Sequence, residues 1–413
     1  MTDQLRRLRP HGLDELFDEQ AAIKVALEQR LHDTFDKWGY RRILLPTFGY
    51  SESLAAGASP ELQRQMYRFF DREGNVIALR ADMTPLTARL VGTRLYDSPL
   101  PLRFCYSGSV FRHEKPQAGQ RHEFTQAGVE LIGASSPEAD AEVIALAVAS
   151  LHALGVADFQ INLGQVAYLR AALADRTSQD ALEQAIGRKN DAEIARIVQE
   201  LGLSAEASRL IRALPHLYGG RDVLATARDL AMNQEARDAV AYLEEVYACL
   251  AAQGVAEHVL LDLGEVRAMA YYTGIAFRGY VQGLGLALCS GGRYDDLIGR
   301  FGPGMPAVGF ALGIERAMLV SSAAVDLAPD ALFSGRTTAD AWGLIARGRA
   351  RGLRIEVDVL GRQGDALEAF GRARHARRIV LQQEDGYWLL EDSEGQRRVS
   401  LPELQEEMDR WTR

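Results

Sequence analysis

The sequence predicts an α+β fold: an antiparallel sheet flanked by helices, split by a helical insertion and followed by a small C-terminal α/β domain. Three observations carry this. Residues 104–133, FCYSGSVFRHEKPQAGQRHEFTQAGVELIG, read as two alternating strands around a Gly- and Pro-containing loop, an antiparallel hairpin with a long tip. Residues 165–253 change character and carry almost wholly helical periodicity. Strand patterns then resume at 258–263 and 274–280, so sheet sequences bracket the helical block.

Residues 1–13 are a basic, polar arm. A helix is expected over 14–37, because Ile23, Leu27, Leu31 and Phe35 recur on one stripe, and Gly39 suits its C-terminal end. A short strand at 42–45 ends at Pro46, which cannot donate to a central ladder. Mixed helix and loop follow over 51–67, then a hairpin over 69–79 around Arg72-Glu73-Gly74. Pro85 suits the first turn of the next helix. After the long hairpin come a helix at 136–154, with Pro137 at its start, and a strand at 159–163. Segment 284–289 leads into Gly291-Gly292-Arg293-Tyr294-Asp295. A strand at 308–312 follows, and Gly313-Ile314-Glu315-Arg316 opens a helix to about 322. The tail reads as helix 344–351, strand 354–360, helix 363–374, a hairpin at 378–390 around Asp385-Gly386, and a charged last helix.

A chain of 413 residues suggests two or three domains with ample core. Apolar content of 47% with 25% charged residues is that of an ordinary globular protein. A net charge of −9 argues against a general nucleic-acid coat. Cys105, Cys249 and Cys289 are scattered and lack metal-ligand spacing, which suits buried thiols in a reducing compartment. No run reaches membrane-spanning length and no signal-peptide pattern is present, so a cytoplasmic location is expected.

Strand alternation puts Arg112 and Glu114 on one face of the hairpin. It puts Phe124, Gln126, Gly128 and Glu130 on one face of the returning strand. Polar groups converging on a sheet face suggest the floor of a small polar ligand site. Taken alone, the same pattern fits a solvated charged face equally well. The case rests on matching pieces elsewhere.

Those pieces resemble the class II aminoacyl-tRNA synthetase core of histidyl-tRNA synthetases, over roughly residues 9–322. Pro46 fits the first class II motif. Phe111-Arg112-His113-Glu114 with Gln120-Arg121 and Phe124 fits the second, and Gly313-Ile314-Glu315-Arg316 the third. Arg267 with Tyr271-Tyr272 is similar to the histidine-specific signature, and Gly291-Gly292-Arg293-Tyr294-Asp295 to another family motif. The resemblance divides the chain into a catalytic-like core in two parts, 1–164 and 254–325, a helical insertion at 165–253 and a small domain at 330–413. It implies histidine binding by Asp82, Thr84, Arg112, Gln126, Glu130, Arg267, Tyr271 and Tyr272. It also implies an ATP-like pocket at Arg112, Glu114, Arg121, Phe124 and Arg316, vestigial in a chain for which no catalytic residue, metal or cofactor is expected.

The departures matter. Where synthetases have Leu-Arg-Pro-Glu-Gly-Thr, this chain has Leu79-Arg80-Ala81-Asp82-Met83-Thr84, one methylene shorter at the acid. A signature carboxylate is replaced by Ala270, and the tail's first strand reads as degraded to Leu332-Phe333-Ser334-Gly335-Arg336. With Gln117-Ala118-Gly119 and Leu217-Tyr218-Gly219-Gly220, these features resemble the regulatory subunits of ATP phosphoribosyltransferase, a glycosyltransferase complex. That resemblance implies a non-catalytic partner of the short-form catalytic subunit, acting in the first step of histidine biosynthesis. It further implies L-histidine as allosteric effector, a dimer through the core, and no tRNA substrate. The alternative is a histidyl-tRNA synthetase or a related histidine-activating enzyme. Residues 344–378 hold nine arginines against Glu356, Asp358, Asp365 and Glu368, which suits a phosphate backbone, an acidic partner or a solvated face.

Overall fold

A computed structural model describes residues 8–10, 12–113, 121–173, 179–265, 272–335, 338–383 and 385–411. They fall into two compact units, Met1–Ala324 and Val325–Arg413.

The first unit contains, in chain order, strands β1 (Arg41–Arg42), β2 (Phe48–Tyr50), β3 (Arg68–Phe70), β4 (Val76–Leu79), β5 (Leu102–Phe111) and β6 (Glu123–Ile132). Then come β7 (Phe159–Gln165), β8 (Tyr218–Gly219), β9 (Val259–Asp262), β10 (Ile275–Val281), β11 (Cys289–Arg293) and β12 (Ala307–Gly313). Among the described residues one sheet runs β1-β5-β6-β12-β11-β10-β7-β9-β8, and β2-β4-β3 form a smaller one. Neighbours in the large sheet are antiparallel except β1 with β5 and β7 with β9. The expected hairpin is its centre: β5 and β6 pair from Leu102↔Ile132 to Phe111↔Glu123.

The sheet has two unlike faces because its strands alternate. On β6, Ala127, Val129 and Leu131 join the main apolar cluster. Leu27, Leu31 and Phe35 of helix Asp18–Lys37 are completely buried in that cluster, with Ile144 and Leu151 of helix Pro137–Ala153. Burying side chains of this size contributes about 1.5–3 kcal/mol each. Phe35 meets Phe310 of β12 edge-on, ring centroids 6.2 Å apart. The first helix stops at Gly39, whose φ of +81° is the left-handed conformation that a glycine tolerates without strain. Gln126 and Glu130, on the opposite face of β6, are left to build something else.

Residues 165–253 are largely helical, as expected, but their apolar residues enter the same cluster as the sheet. Helix Gln234–Ala252 packs along helix Pro137–Ala153. Strand β8 is an addition that two residues of sequence could not announce. Glycines 291 and 292, to which the sequence assigns no element, lie inside β11. A Cβ at Gly291 would stand 2.5 Å from the Gly309 carbonyl oxygen and from the Phe277 ring, so side chains are excluded there.

The second unit carries β13 (Ala331–Phe333), β14 (Ile355–Val357), β15 (Ile379–Gln382), β16 (Trp388–Asp392) and β17 (Gly395–Val399), in the order β14-β13-β15-β16-β17. The expectation of a degraded first strand is corrected. β13 is intact, completely buried, and parallel to neighbours on both sides. A three-residue strand buried on both faces has no alternation to read. Gly335 follows because a Cβ there would collide with the Asp358 carbonyl oxygen at 1.7 Å. The tail therefore does not separate the two functional readings. Arg336 lies outside the described residues.

The arginine-rich segment finds its partners within this unit. Arg351 pairs with Asp409 at 2.9 Å, Arg374 with Glu356 at 2.7 Å, Arg372 with Glu368 at 3.0 Å and Arg377 with Asp330 at 2.7 Å. Arg362 is held by Asp358, Arg354 and Arg378 by backbone carbonyls, and Arg349 by the Ile355 carbonyl at 2.8 Å. Arg347 reaches the Gln405 amide oxygen.

Candidate functional site

The non-helical face of the large sheet holds a cavity of about 150 Å³. That is the size of cavities that accept a benzene-like ring. Its floor comes from β6. Glu130 is 1% exposed, and its carboxylate accepts from Thr84 Oγ1 at 2.7 Å, from Tyr106 Oη at 3.0 Å and from Tyr294 Oη. Glycines make the room. Gly309 lies opposite Glu130 in the register, and a Cβ on it would sit 1.9 Å from Glu130 Oε2. Gly128 lies opposite Tyr106, and a Cβ there would press to 2.9 Å on the phenol oxygen.

With Glu130 ionised, all three hydroxyl hydrogens are committed to it. Of the three, Thr84 and Tyr294 line the cavity, and their hydroxyl oxygens are then acceptors for a donor entering it. Burial pushes the Glu130 carboxyl up to about 7, against the lowering effect of the three donors.

Asp82 forms the second acidic point. It is 4% exposed, and Oδ1 accepts from the Thr84 N–H and from Gln126 Nε2, both at 3.2 Å. Oδ2 is buried with no hydrogen-bond partner among the described residues. The nearest cation is Arg112, whose Nη2 is 3.8 Å away. A buried carboxylate oxygen without a donor is costly, and a ligand ammonium would satisfy it. Gln126 lines the cavity and also braces the acid. Its Oε1 accepts from the Met83 N–H at 2.9 Å, so it orients Asp82.

Arg112 donates from Nε to the Ala81 carbonyl at 2.8 Å, and its guanidinium lies 5.2 Å over the Phe124 ring. Arg316 lines the same cavity and donates to the Ala287 carbonyl at 3.2 Å. Tyr272 lines it too, from beside Gly292. The structure thus brings together Asp82, Thr84, Arg112, Phe124, Gln126, Glu130, Tyr272 and Arg316. It does not bring Arg121, which pairs with Asp14 at 3.2 Å and does not line the cavity. Glu114, Arg267, Ala270 and Tyr271 lie outside the described residues.

The model of the histidyl-tRNA synthetase family matches residues 12–317. The ATP phosphoribosyltransferase regulatory subunit of Moorella thermoacetica is 41% identical over 379 residues, spanning 90% of this chain and 97% of that one. That of Syntrophotalea carbinolica is 38% identical over 384 residues, 90% of each chain. The chain belongs to the family of ATP phosphoribosyltransferase regulatory subunits. A structure from Bacillus halodurans C described as an ATP phosphoribosyltransferase regulatory subunit/histidyl-tRNA synthetase superposes with a TM-score of 0.81 at 31% identity. It covers 91% of this chain and 97% of its own. The histidyl-tRNA synthetase of Nostoc sp. PCC 7120, at 21% identity and TM-score 0.80 over 98% and 99%, shares the fold.

Sequence reasoning missed three participants in this regulatory-subunit cavity. Tyr106 sits on β5 among apolar neighbours, and only its register opposite Gly128 marks it. Tyr294 stood inside a quoted motif without a role. Arg278 lines the cavity from β10, with Glu265 at 3.5 Å, in a stretch with no motif at all.

Glu130 also makes stability depend on pH. Its folded pKa of about 7 lies above the ordinary 4.5, so the fold favours the protonated acid. That stabilisation is complete below about pH 4.5 and is lost as pH rises through about 7, a change of roughly 3 kcal/mol from this group. Glu130→Gln is expected to flatten that dependence. Urea unfolding of both proteins at pH 5 and pH 8 checks it; parallel curves for the two would remove Glu130 as the cause.

Proposed function

We propose that this chain is the non-catalytic regulatory subunit of an ATP phosphoribosyltransferase. It works with a separate short-form catalytic subunit in the first step of histidine biosynthesis, and its cavity binds L-histidine as the feedback effector. The observation that carries this is the unsatisfied Asp82 Oδ2 facing a ring-sized cavity whose floor offers hydroxyl acceptors around Glu130. An α-ammonium suits Asp82 and an imidazole N–H suits the floor. Arg112, Arg278 and Arg316 are the cavity-lining cations among the described residues, and Arg112 and Arg278 would meet the ligand carboxylate. Such a ligand touches β6, the Asp82–Thr84 turn and β10–β12 together. It would therefore favour one relative arrangement of those segments, and only that differential affinity can change a partner's activity.

The same fold keeps a second reading open, activation of histidine as in a synthetase. Arg112 over Phe124, with Arg316 in the same cavity, favours it. Self-association through the core is supported by apolar side chains exposed on and beside the small sheet, Leu44 at 83%, Phe48 at 56% and Phe70 at 73%. Cytoplasmic residence fits three free cysteines and the absence, among the described residues, of any helix long and apolar enough to span a membrane.

Purified chain mixed with the catalytic subunit is expected to sediment as a hetero-oligomer, with phosphoribosyl transfer in the mixture only. The chain alone is expected neither to exchange pyrophosphate with histidine nor to charge histidine transfer RNA. Robust charging would put the synthetase reading first. A chain that stays apart from the catalytic subunit would sink the proposed role.

A further inference from the structure

Far from the ligand cavity, two imidazoles face each other at the surface. His152 closes helix Pro137–Ala153, and His258 closes the short turn Ala256–His258 that leads into β9. Their Nε2 atoms are 3.3 Å apart. Two ligands on a tetrahedral zinc ion at about 2.0–2.1 Å stand about 3.3–3.4 Å from each other, so the spacing is already that of a metal's coordination edge. The rings are braced rather than free. Phe159 of β7 stacks on His258 with centroids 4.7 Å apart and planes at 16°, and meets His152 edge-on at 5.0 Å. One apolar ring thus braces both imidazoles, whose own centroids lie 4.9 Å apart with planes at 73°. His152 is exposed and His258 half-buried, so an ion and its waters have access. Glu257, 79% exposed, has Oε1 at 3.8 Å from His258 Nε2 and can supply an oxygen ligand after a side-chain rotation.

We propose that His152 and His258 form a surface site for a divalent transition metal ion, zinc, nickel or copper, completed by water and by Glu257. Imidazole suits these ions, and exposed solvent ligands suit a reversible site better than a permanent structural one. Among the described residues no group of three or more His, Cys, Asp or Glu is placed to hold an ion, so the site rests on the two imidazoles, with solvent and a moved Glu257 carboxylate filling the remaining positions. Occupancy would tie the end of a buried helix to the start of β9. Bound metal would add a clamp between the two elements that the unfolded chain cannot reproduce. The competing account is a simple Nε2–H···Nε2 hydrogen bond with no affinity for metal.

Tag-free full-length protein, stripped with chelator, is titrated with zinc chloride by calorimetry. One reversible equivalent is expected, with His152→Gln and His258→Gln each weakening it by more than about tenfold, and with a raised thermal midpoint in wild type only. Copper(II) bound at the same stoichiometry should give a paramagnetic spectrum showing two nitrogen ligands. No zinc binding to wild type, or binding unchanged in both folded variants, overturns the site. If circular dichroism shows that a glutamine variant has lost structure, His152→Asn and the copper spectrum of wild type decide instead, and a spectrum without two imidazole nitrogens counts against it.

Discussion

Arg293→Met is expected to cost about 3–5 kcal/mol of stability, because it strands a charge in the core. Arg293 is 4% exposed and Asp140 is completely buried. Arg293 Nη2 meets Asp140 Oδ1 at 2.5 Å, and Nε reaches Oδ2 at 3.3 Å. The remaining guanidinium donor goes to the Ala134 carbonyl at 3.0 Å and to Asp295 at 3.1 Å. Tyr242, from the helical block, donates to the same Asp140 at 2.9 Å. Asp140 therefore joins β11, its own helix Pro137–Ala153 and helix Gln234–Ala252, and Arg293 holds its charge. Burial raises the Asp140 carboxyl, and Arg293 is the main force acting against that rise. Without the arginine the acid keeps only the Tyr242 hydroxyl. Asp140→Leu together with Arg293→Met should recover much of the loss, because the pair contributes less than a half-broken pair costs. Urea unfolding of both single variants and the double variant gives the coupling. Additive losses would show that the two residues act separately. The next residue after Arg293 is Tyr294, which donates to Glu130, so the single variant should weaken the cavity as well.

What the sequence disclosed follows from what alternation can encode. The hairpin of β5 and β6 was legible because ten-residue strands with one apolar face repeat the pattern often enough to see. Helix Asp18–Lys37 was legible for the same reason at the helical period. β8, with two residues, and β13, with three, are too short for a period, and β13 is buried on both sides. β11 gave no strand signal because Gly291 and Gly292 have no side chains to alternate, while close packing against Phe277 and Gly309 demands glycine there.

In the site, residue type and face were readable for Gln126 and Glu130, and Asp82 was reached through the motif at 79–84. Bond direction was not. No pattern tells that the Gln126 carbonyl is taken by the Met83 N–H, or that Tyr106 crosses Gly128 to reach Glu130. Arg121 was assigned by motif position to the pocket, but a nearer carboxylate, Asp14, holds it elsewhere.

Asp82→Asn is the second variant with a large expected effect. The substitution keeps shape and keeps an acceptor for the Thr84 N–H. It removes the charge and replaces one oxygen with an amide that offers hydrogens toward the position of the ligand ammonium. Losing a charge-assisted hydrogen bond costs about 1.5–3 kcal/mol, or roughly one to two decades in affinity. The fold should survive, because Asp82 Oδ2 has no hydrogen-bond partner to lose. Basal activity of the mixture with the catalytic subunit should also survive, since Asp82 lies 4% exposed inside the cavity and not on a surface.

The central claim is that histidine acts through this cavity. It is tested most directly by calorimetric titration of L-histidine into wild type and Asp82→Asn, read beside histidine inhibition curves of the two reconstituted mixtures. The account predicts that both dissociation constant and inhibitory concentration rise together by about one to two decades in the variant, with basal phosphoribosyl transfer unchanged. Equal histidine affinity and equal inhibition in the two proteins would contradict it and place the sensor outside this chain's cavity.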